Sequence, residues 1–137
     1  MAVELPQDFK ERIRHQLGNA YMDFLACYEK ERVYGLRYNP LKIEKEALRL
    51  LLARHIPLEQ VPWAAEGFYY PADTQPGRLP LHEAGAFYIQ EPSAMAVVEL
   101  LDPKPGEVIL DLCAAPGGKS TQIAGRMQGQ GLLISNE

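Results

Sequence analysis

Apolar positions in the first part of the chain recur at helical spacing. Phe9, Ile13 and Leu17 stand four residues apart, between a Pro6 suited to a first helical position and a Gly18 suited to a stop, which predicts a helix over 6–17. Tyr21, Phe24, Leu25 and Tyr28 share one face of a second predicted helix over about 20–31. Residues 33–38 alternate as a strand that Asn39-Pro40 ends. Ile43, Ala47, Leu48, Leu51 and Leu52 form a helical stripe that runs out near His55. Pro57, Pro62, Pro71, Pro76 and Pro80 then punctuate a loop-rich stretch, with short strands expected over 58–63 and 67–70.

The pattern changes after Gly85. A short strand over 87–90 leads into a helix with Pro92 in its first turn, where Ala94, Val97, Val98 and Leu101 keep the i, i+3, i+4, i+7 spacing. Asp102-Pro103 closes it. Val108, Ile109, Leu110 and Leu112 read as a buried strand, and Ala114, Ala115, Gly117 and Gly118 as a turn with little or no side chain. A helix over 118–127, a Gln128-Gly-Gln-Gly131 turn and a second strand over 132–135 follow, with Glu137 at its end. The fold class is therefore α/β. An α+β domain over 1–85 precedes the opening of a Rossmann-like domain over 86–137.

A strand, a bare turn and a helix start make a site for a nucleotide-type ligand, because the first amides of a helix lack partners and carry the positive dipole end. Three ligands compete. A triphosphate-binding loop needs a glycine five positions before the glycine of Gly-Lys-Ser, and that position is Cys113. The dinucleotide fingerprint needs G-x-G-x-x-G, and Gly117 and Gly118 are adjacent. An S-adenosylmethionine site needs the same turn and an acid closing the next strand to hold the ribose hydroxyls. Glu137 is that acid, 26 residues after Asp111, the length of one strand-helix-strand unit. The candidate cofactor residues are thus Cys113, Ala114, Ala115, Pro116, Gly117, Gly118, Lys119 and Glu137. Asp111 is placed either on the cofactor's ammonium or on the loop's own amides.

Composition narrows the setting. The chain has 137 residues, 47% of them hydrophobic, and no apolar run approaches the ~20 residues of a membrane span. The N-terminus carries no basic patch ahead of an apolar core, so no secretory signal is read there. Cys27 and Cys113 form neither a disulfide framework nor a CxxC pair, which leaves a reducing, cytoplasmic setting and no metal site as the expectation. The net charge of −4 runs against a nucleic-acid partner, whose electrostatic footprint is usually basic. Charge is local, however. Lys10, Arg12, Arg14 and His15 cluster early, and Arg32, Arg37 and Lys42 flank the strand over 33–38, although each cluster reads first as a solvated face. Trp63, Phe68, Tyr69 and Tyr70 are read as packing residues before base-stacking ones.

Three segments carry a family resemblance. Asp111-Leu-Cys-Ala-Ala-Pro-Gly-Gly-Lys119 resembles the cofactor motif of the Sun/Nop family of S-adenosylmethionine-dependent RNA (cytosine-5) methyltransferases, in its bacterial ribosomal-RNA branch. Tyr88-Ile-Gln-Glu-Pro-Ser-Ala-Met95 is similar to the motif that precedes it there, and Gly35-Leu-Arg-Tyr-Asn-Pro-Leu-Lys42 resembles the Arg-x-Asn-x-Leu-Lys element of the family's N-terminal domain. The resemblance implies a class I methyltransferase domain behind a small domain that helps to grip RNA, and it places Gln90 and Ser93 near the cofactor's methionine end. From the residues alone, those two read equally well as helix-start hydrogen-bonding groups.

The implied reaction methylates carbon 5 of cytosine in RNA, ribosomal RNA before transfer RNA. In it a cysteine thiolate adds to carbon 6 and a second cysteine assists release. Both cysteines belong to motifs downstream of the glycine turn, and neither Cys27 nor Cys113 fits them, so no catalytic residue is assigned. Only two strands of a parallel sheet that normally has five or more are visible, and the expectation is an N-terminal fragment cut after the second strand. The other readings are a P-loop nucleotide-binding protein and a non-catalytic RNA-binding module.

Overall fold

The computed structural model describes residues 4–137. The chain forms two compact units, one ending at Arg32 and one running from Val33 to Glu137. Among the described residues, no helix is long and apolar enough to cross a membrane.

The first unit is helical. Helix α1 spans Gln7–Leu17, one residue inside the expected start, and Gly18 stops it at a φ of 52°. The expected second helix is broken up. The chain makes a 3-10 turn over Gly18–Ala20, an α2 of only Tyr21–Ala26, and another 3-10 turn over Cys27–Glu29. The last turn tightens as the Cys27 amide donates to the Phe24 and Leu25 carbonyls. Phe24 joins the helices, with its ring 6.3 Å from that of Phe9 and 5.4 Å from that of Tyr28.

The second unit holds two sheets. The strands β1 (Tyr34–Tyr38), β2 (Glu59–Gln60), β3 (Gly67–Tyr70) and β4 (Phe87–Ile89) form an antiparallel sheet in the order β2-β3-β1-β4. Leu36 on β1 faces Phe68 on one side and Ile89 on the other. β4, which follows the division expected near Gly85, hydrogen-bonds to β1, so the sheet extends across that position. The stretch expected as a strand over 58–63 shrinks to Glu59–Gln60.

β1 is covered on both faces, so Gly35, Leu36 and Arg37 are all buried despite their alternation. Leu36 joins Phe68, Phe87 and the inner face of α3 (Lys45–Leu52), which contributes Leu48 and Leu52. Each of those leucines stabilises the fold by about 1.5–3 kcal/mol through its burial. A short helix α4 (Pro80–Glu83) follows a 3-10 turn at Pro76–Arg78 in the stretch expected to be loop. Pro80 begins that helix where a missing amide costs nothing. Phe68 lies in the core, while Tyr69 and Tyr70 are half-buried and Trp63 is half-exposed with its indole N–H on the Pro92 carbonyl at 2.9 Å.

Helix α5 (Pro92–Leu101) ends on Asp102 in the left-handed conformation. Strands β5 (Val108–Asp111) and β6 (Leu132–Ser135) pair in parallel around helix α6 (Gly118–Met127), which keeps the expected bounds. Val98, Ile123 and Met127 pack over Ile109 and Leu133, whereas the alternate strand positions Val108, Leu110, Leu132 and Ile134 are exposed.

Candidate functional site

The turn between β5 and α6 is held from inside by Asp111. The end of β5 buries this carboxylate, whose Oδ1 accepts the Cys113 amide at 3.1 Å and whose Oδ2 accepts the Ser120 hydroxyl at 2.6 Å. Asp111 thus holds both the turn and the first turn of α6. The Ser135 hydroxyl reaches Ser120 at 3.2 Å, which ties the end of β6 to the same cluster.

Other amides of the turn are also used. Ala114 donates to the Asn136 carbonyl at 3.1 Å, Ala115 to the Glu137 carboxylate at 3.0 Å, and Gly117 to Ala114 at 2.6 Å. The structure therefore brings Glu137 to the turn, as the strand spacing expects. The amides of Gly118, Lys119 and Ser120 open α6 and have no intrahelical acceptor. They give the turn an electropositive mouth suited to a carboxylate or another anionic group. Cys113, Ala115 and Pro116 are exposed, Ala114 and Lys119 half-buried.

The two glycines differ in role. Gly117 adopts a φ of 107°, and an added Cβ there would meet nothing within 4 Å. That face is open space. At Gly118 a Cβ would lie 3.3 Å from Gln90 Nε2 and 3.5 Å from the Tyr88 ring. Its lack of a side chain leaves room for Tyr88 on β4 and for the Gln90 that follows it.

Arg37 is the residue that sequence reasoning missed. Its charge was expected on a solvated flank of the strand, yet it is 2% exposed. Nε donates to Gln90 Oε1 at 2.8 Å, while Nη2 donates to the Gly118 carbonyl at 3.2 Å and to Thr121 Oγ1 at 2.8 Å. Burial pulls its pKa down to about 10, with Glu66 opposing, so the group is still charged at neutral pH. The Tyr88 hydroxyl makes a parallel clasp on the Pro116 carbonyl at 2.9 Å. The antiparallel sheet thus grips both ends of the glycine turn. Gln90 makes no side-chain cap on α5, as its oxygen is engaged by Arg37, and Ser93 is exposed without a side-chain hydrogen bond among the described residues. The signal available was β1 itself, since a strand with neighbours on both sides buries whatever side chain faces the second layer.

A second tie lies deeper along α6. Arg126 donates to Glu66 at 2.8 Å and to Glu99, joining the turn before β3 to α5 and α6. Among the described residues no group of His, Cys, Asp and Glu side chains is arranged to hold a metal ion.

A parallel strand-turn-helix-strand unit with an open glycine turn and an acid beside it defines the class of Rossmann-like ligand-binding proteins. Comparison with known proteins gives the family. Residues 5–92 match the family described as the N-terminal domain of 16S rRNA methyltransferase RsmF, and residues 98–137 match 16S rRNA methyltransferase RsmB/F. The ribosomal RNA small subunit methyltransferase F of Shewanella amazonensis is 46% identical over 142 residues, which cover 98% of this chain and 30% of that protein. The tRNA (cytosine(49)-C(5))-methyltransferase of Pyrococcus abyssi is 40% identical, with 98% of this chain and 46% of that protein covered. A solved methyltransferase homolog from Pyrococcus horikoshii superposes with a TM-score of 0.80 at 32% identity, covering 96% of this chain and 44% of that one. The chain belongs to the RsmF family of 16S rRNA methyltransferases, and it spans less than half the length of each of these relatives.

Proposed function

We propose that this chain supplies the cofactor turn and part of the RNA-holding surface of an enzyme that methylates carbon 5 of cytosine in RNA, ribosomal RNA first. The observation that carries the reading is the pairing of an open Gly117 with Glu137, whose carboxylate sits 3.0 Å from the Ala115 amide. These residues fit S-adenosylmethionine. The α6 amides suit its carboxylate, the bare turn Cys113–Lys119 suits its methionine end, and Glu137, which holds the Ala115 amide, is our choice of acid for the ribose hydroxyls. S-adenosylmethionine supplies the methyl group when bound. Asp111 and Arg37 hold the turn in shape, and Lys119 adds a positive charge at its rim.

The residues fit a triphosphate less well. In a phosphate cradle the loop amides face the ligand. Here the amides of Cys113, Ala114 and Ala115 are spent on Asp111, Asn136 and Glu137. Neither cysteine is assigned to catalysis. The Cys27 thiol donates to the Asp23 carbonyl within the first unit, and Cys113 belongs to the turn. The relatives named for ribosomal and transfer RNA methylation support an RNA substrate, and a cytoplasmic setting belongs to the same reading.

Incubating the complete enzyme that carries this chain with methyl-labelled S-adenosylmethionine and ribosomal RNA tests it. Labelled 5-methylcytidine in the digest is the expected product. Label on any other nucleoside, or none, refutes the assignment.

A further inference from the structure

Tyr88 stands opposite Arg37 where β4 pairs with β1, and its hydroxyl donates to the Pro116 carbonyl at 2.9 Å. Among the described residues no other donor reaches that carbonyl. A peptide unit is planar, and in the trans form its carbonyl and its N–H point opposite ways. The unit between Pro116 and Gly117 is therefore pinned at both ends. Tyr88 holds its oxygen, and the Ala114 carbonyl holds the Gly117 amide at 2.6 Å. Next to it Gly117 takes a φ of 107° and has no side chain to restrict rotation. This is the freest joint of the turn, and the opening amides of α6 follow it directly.

Tyr88 acts on this joint from behind. Its ring lies 3.5 Å from where a Gly118 Cβ would stand, whereas a Cβ on Gly117 would meet nothing within 4 Å. The strand that carries Tyr88 is anchored independently of the turn. Asn39 Nδ2 donates to the Gly85 carbonyl at 3.1 Å, the Asn39 amide to Ala86 at 2.8 Å, and the Lys42 ammonium to Ala84 at 2.7 Å. All three acceptors lie on the approach to β4. The position of the Tyr88 hydroxyl is thus set by β1 and its flank, and the turn conforms to it.

We propose that Tyr88 is a positioning residue for the cofactor. Its hydroxyl keeps the Pro116–Gly117 peptide, and through it the opening amides of α6, in the arrangement that receives the carboxylate of S-adenosylmethionine. The role rests on the function proposed above, and it runs through the turn, not through contact with the ligand. A loop ordered beforehand raises affinity, because binding no longer has to supply the cost of ordering it. Without the hydroxyl the turn regains freedom about Gly117, so affinity falls, while methyl transfer from a cofactor already bound does not.

The test uses the complete enzyme that carries this chain, as wild type and as Tyr88→Phe. Phenylalanine keeps the ring against Gly118, so thermal unfolding is expected to change little. The Kd for S-adenosylmethionine by calorimetry is expected to rise about fivefold, the worth of one hydrogen bond. The KM for S-adenosylmethionine should rise with it, at unchanged kcat and unchanged KM for RNA. In the ligand-free enzyme the Pro116 carbonyl carbon, observed by NMR through the Gly117 amide, is expected to move upfield in the variant as it loses its donor. Para-aminophenylalanine in place of Tyr88 supplies a donor again and is expected to recover the affinity. Unchanged cofactor affinity in Tyr88→Phe overturns the role. So does a loss that para-aminophenylalanine does not recover, or one that comes with a clear fall in thermal stability, which marks Tyr88 as a packing residue. A wild-type enzyme that binds no S-adenosylmethionine overturns the cofactor reading and this role with it, a failure visible before any variant is made.

Discussion

Arg37 on β1 and Thr121 in the first turn of α6 are 84 residues apart in sequence and 2.8 Å apart in space. The same guanidinium nitrogen holds the Gly118 carbonyl. A strand of the antiparallel sheet thereby sets the position of the glycine turn in the parallel one, so the two sheets act as one support for the site.

Replacing Arg37 by methionine leaves the Gln90 oxygen and the Gly118 carbonyl without their donor. The expected loss is about 2–4 kcal/mol of stability in urea unfolding, the cost of stranding buried polar groups. Lysine keeps the charge but cannot fork towards Gln90 and Thr121 together, and should lie between. Amide exchange at Gly118–Gln122 is expected to quicken in the Met variant more than at Ile123–Met127. Uniform quickening across α6 would mark Arg37 as a general packing residue.

Asp111 and Ser120 should be energetically coupled. A double-mutant cycle with Asp111→Asn and Ser120→Ala is expected to give about 1 kcal/mol of interaction, as for a charged hydrogen bond that is partly buried. Additive losses would show that the 2.6 Å contact contributes nothing of its own.

Arg126→Met abandons two half-buried carboxylates, Glu66 and Glu99, beside each other. The expected destabilisation is about 1–3 kcal/mol, below that of a fully buried pair because each side chain retains some water. Adding Glu99→Gln should recover part of it. No recovery would mean the two carboxylates do not repel each other measurably.

Glu137→Ala separates binding from stability. The side chain is exposed, and substitutions of that kind usually change stability by under about 0.5 kcal/mol. Thermal unfolding should therefore stay nearly in place while S-adenosylmethionine affinity falls about tenfold, the worth of one to two hydrogen bonds. A large drop in melting temperature would make Glu137 a structural clamp on Ala115.

Much of the second unit was legible because its signals are local. Helix α6 opens at Gly118 and β6 spans Leu132–Ser135, as turn residues and apolar runs dictate. The Asp111–Glu137 spacing likewise foretold a strand-helix-strand unit, and the structure closes it with the Ala115–Glu137 bond. What escaped depends on partners distant in sequence. Nothing near Arg37 reveals that α6 will cover it, and nothing near Gly118 reveals that Gln90 and Tyr88 will press on it. The pairing of β4 with β1 across Gly85 is likewise invisible to periodicity. The second helix failed differently, since its apolar face is regular but its ends tighten into 3-10 turns.

The most direct test is titration of the chain with S-adenosylmethionine while its backbone amide resonances are followed. Saturable shifts centred on Cys113–Lys119 and Glu137, absent with ATP and magnesium, are the expected result. Shifts produced by ATP with magnesium but not by S-adenosylmethionine would contradict the account.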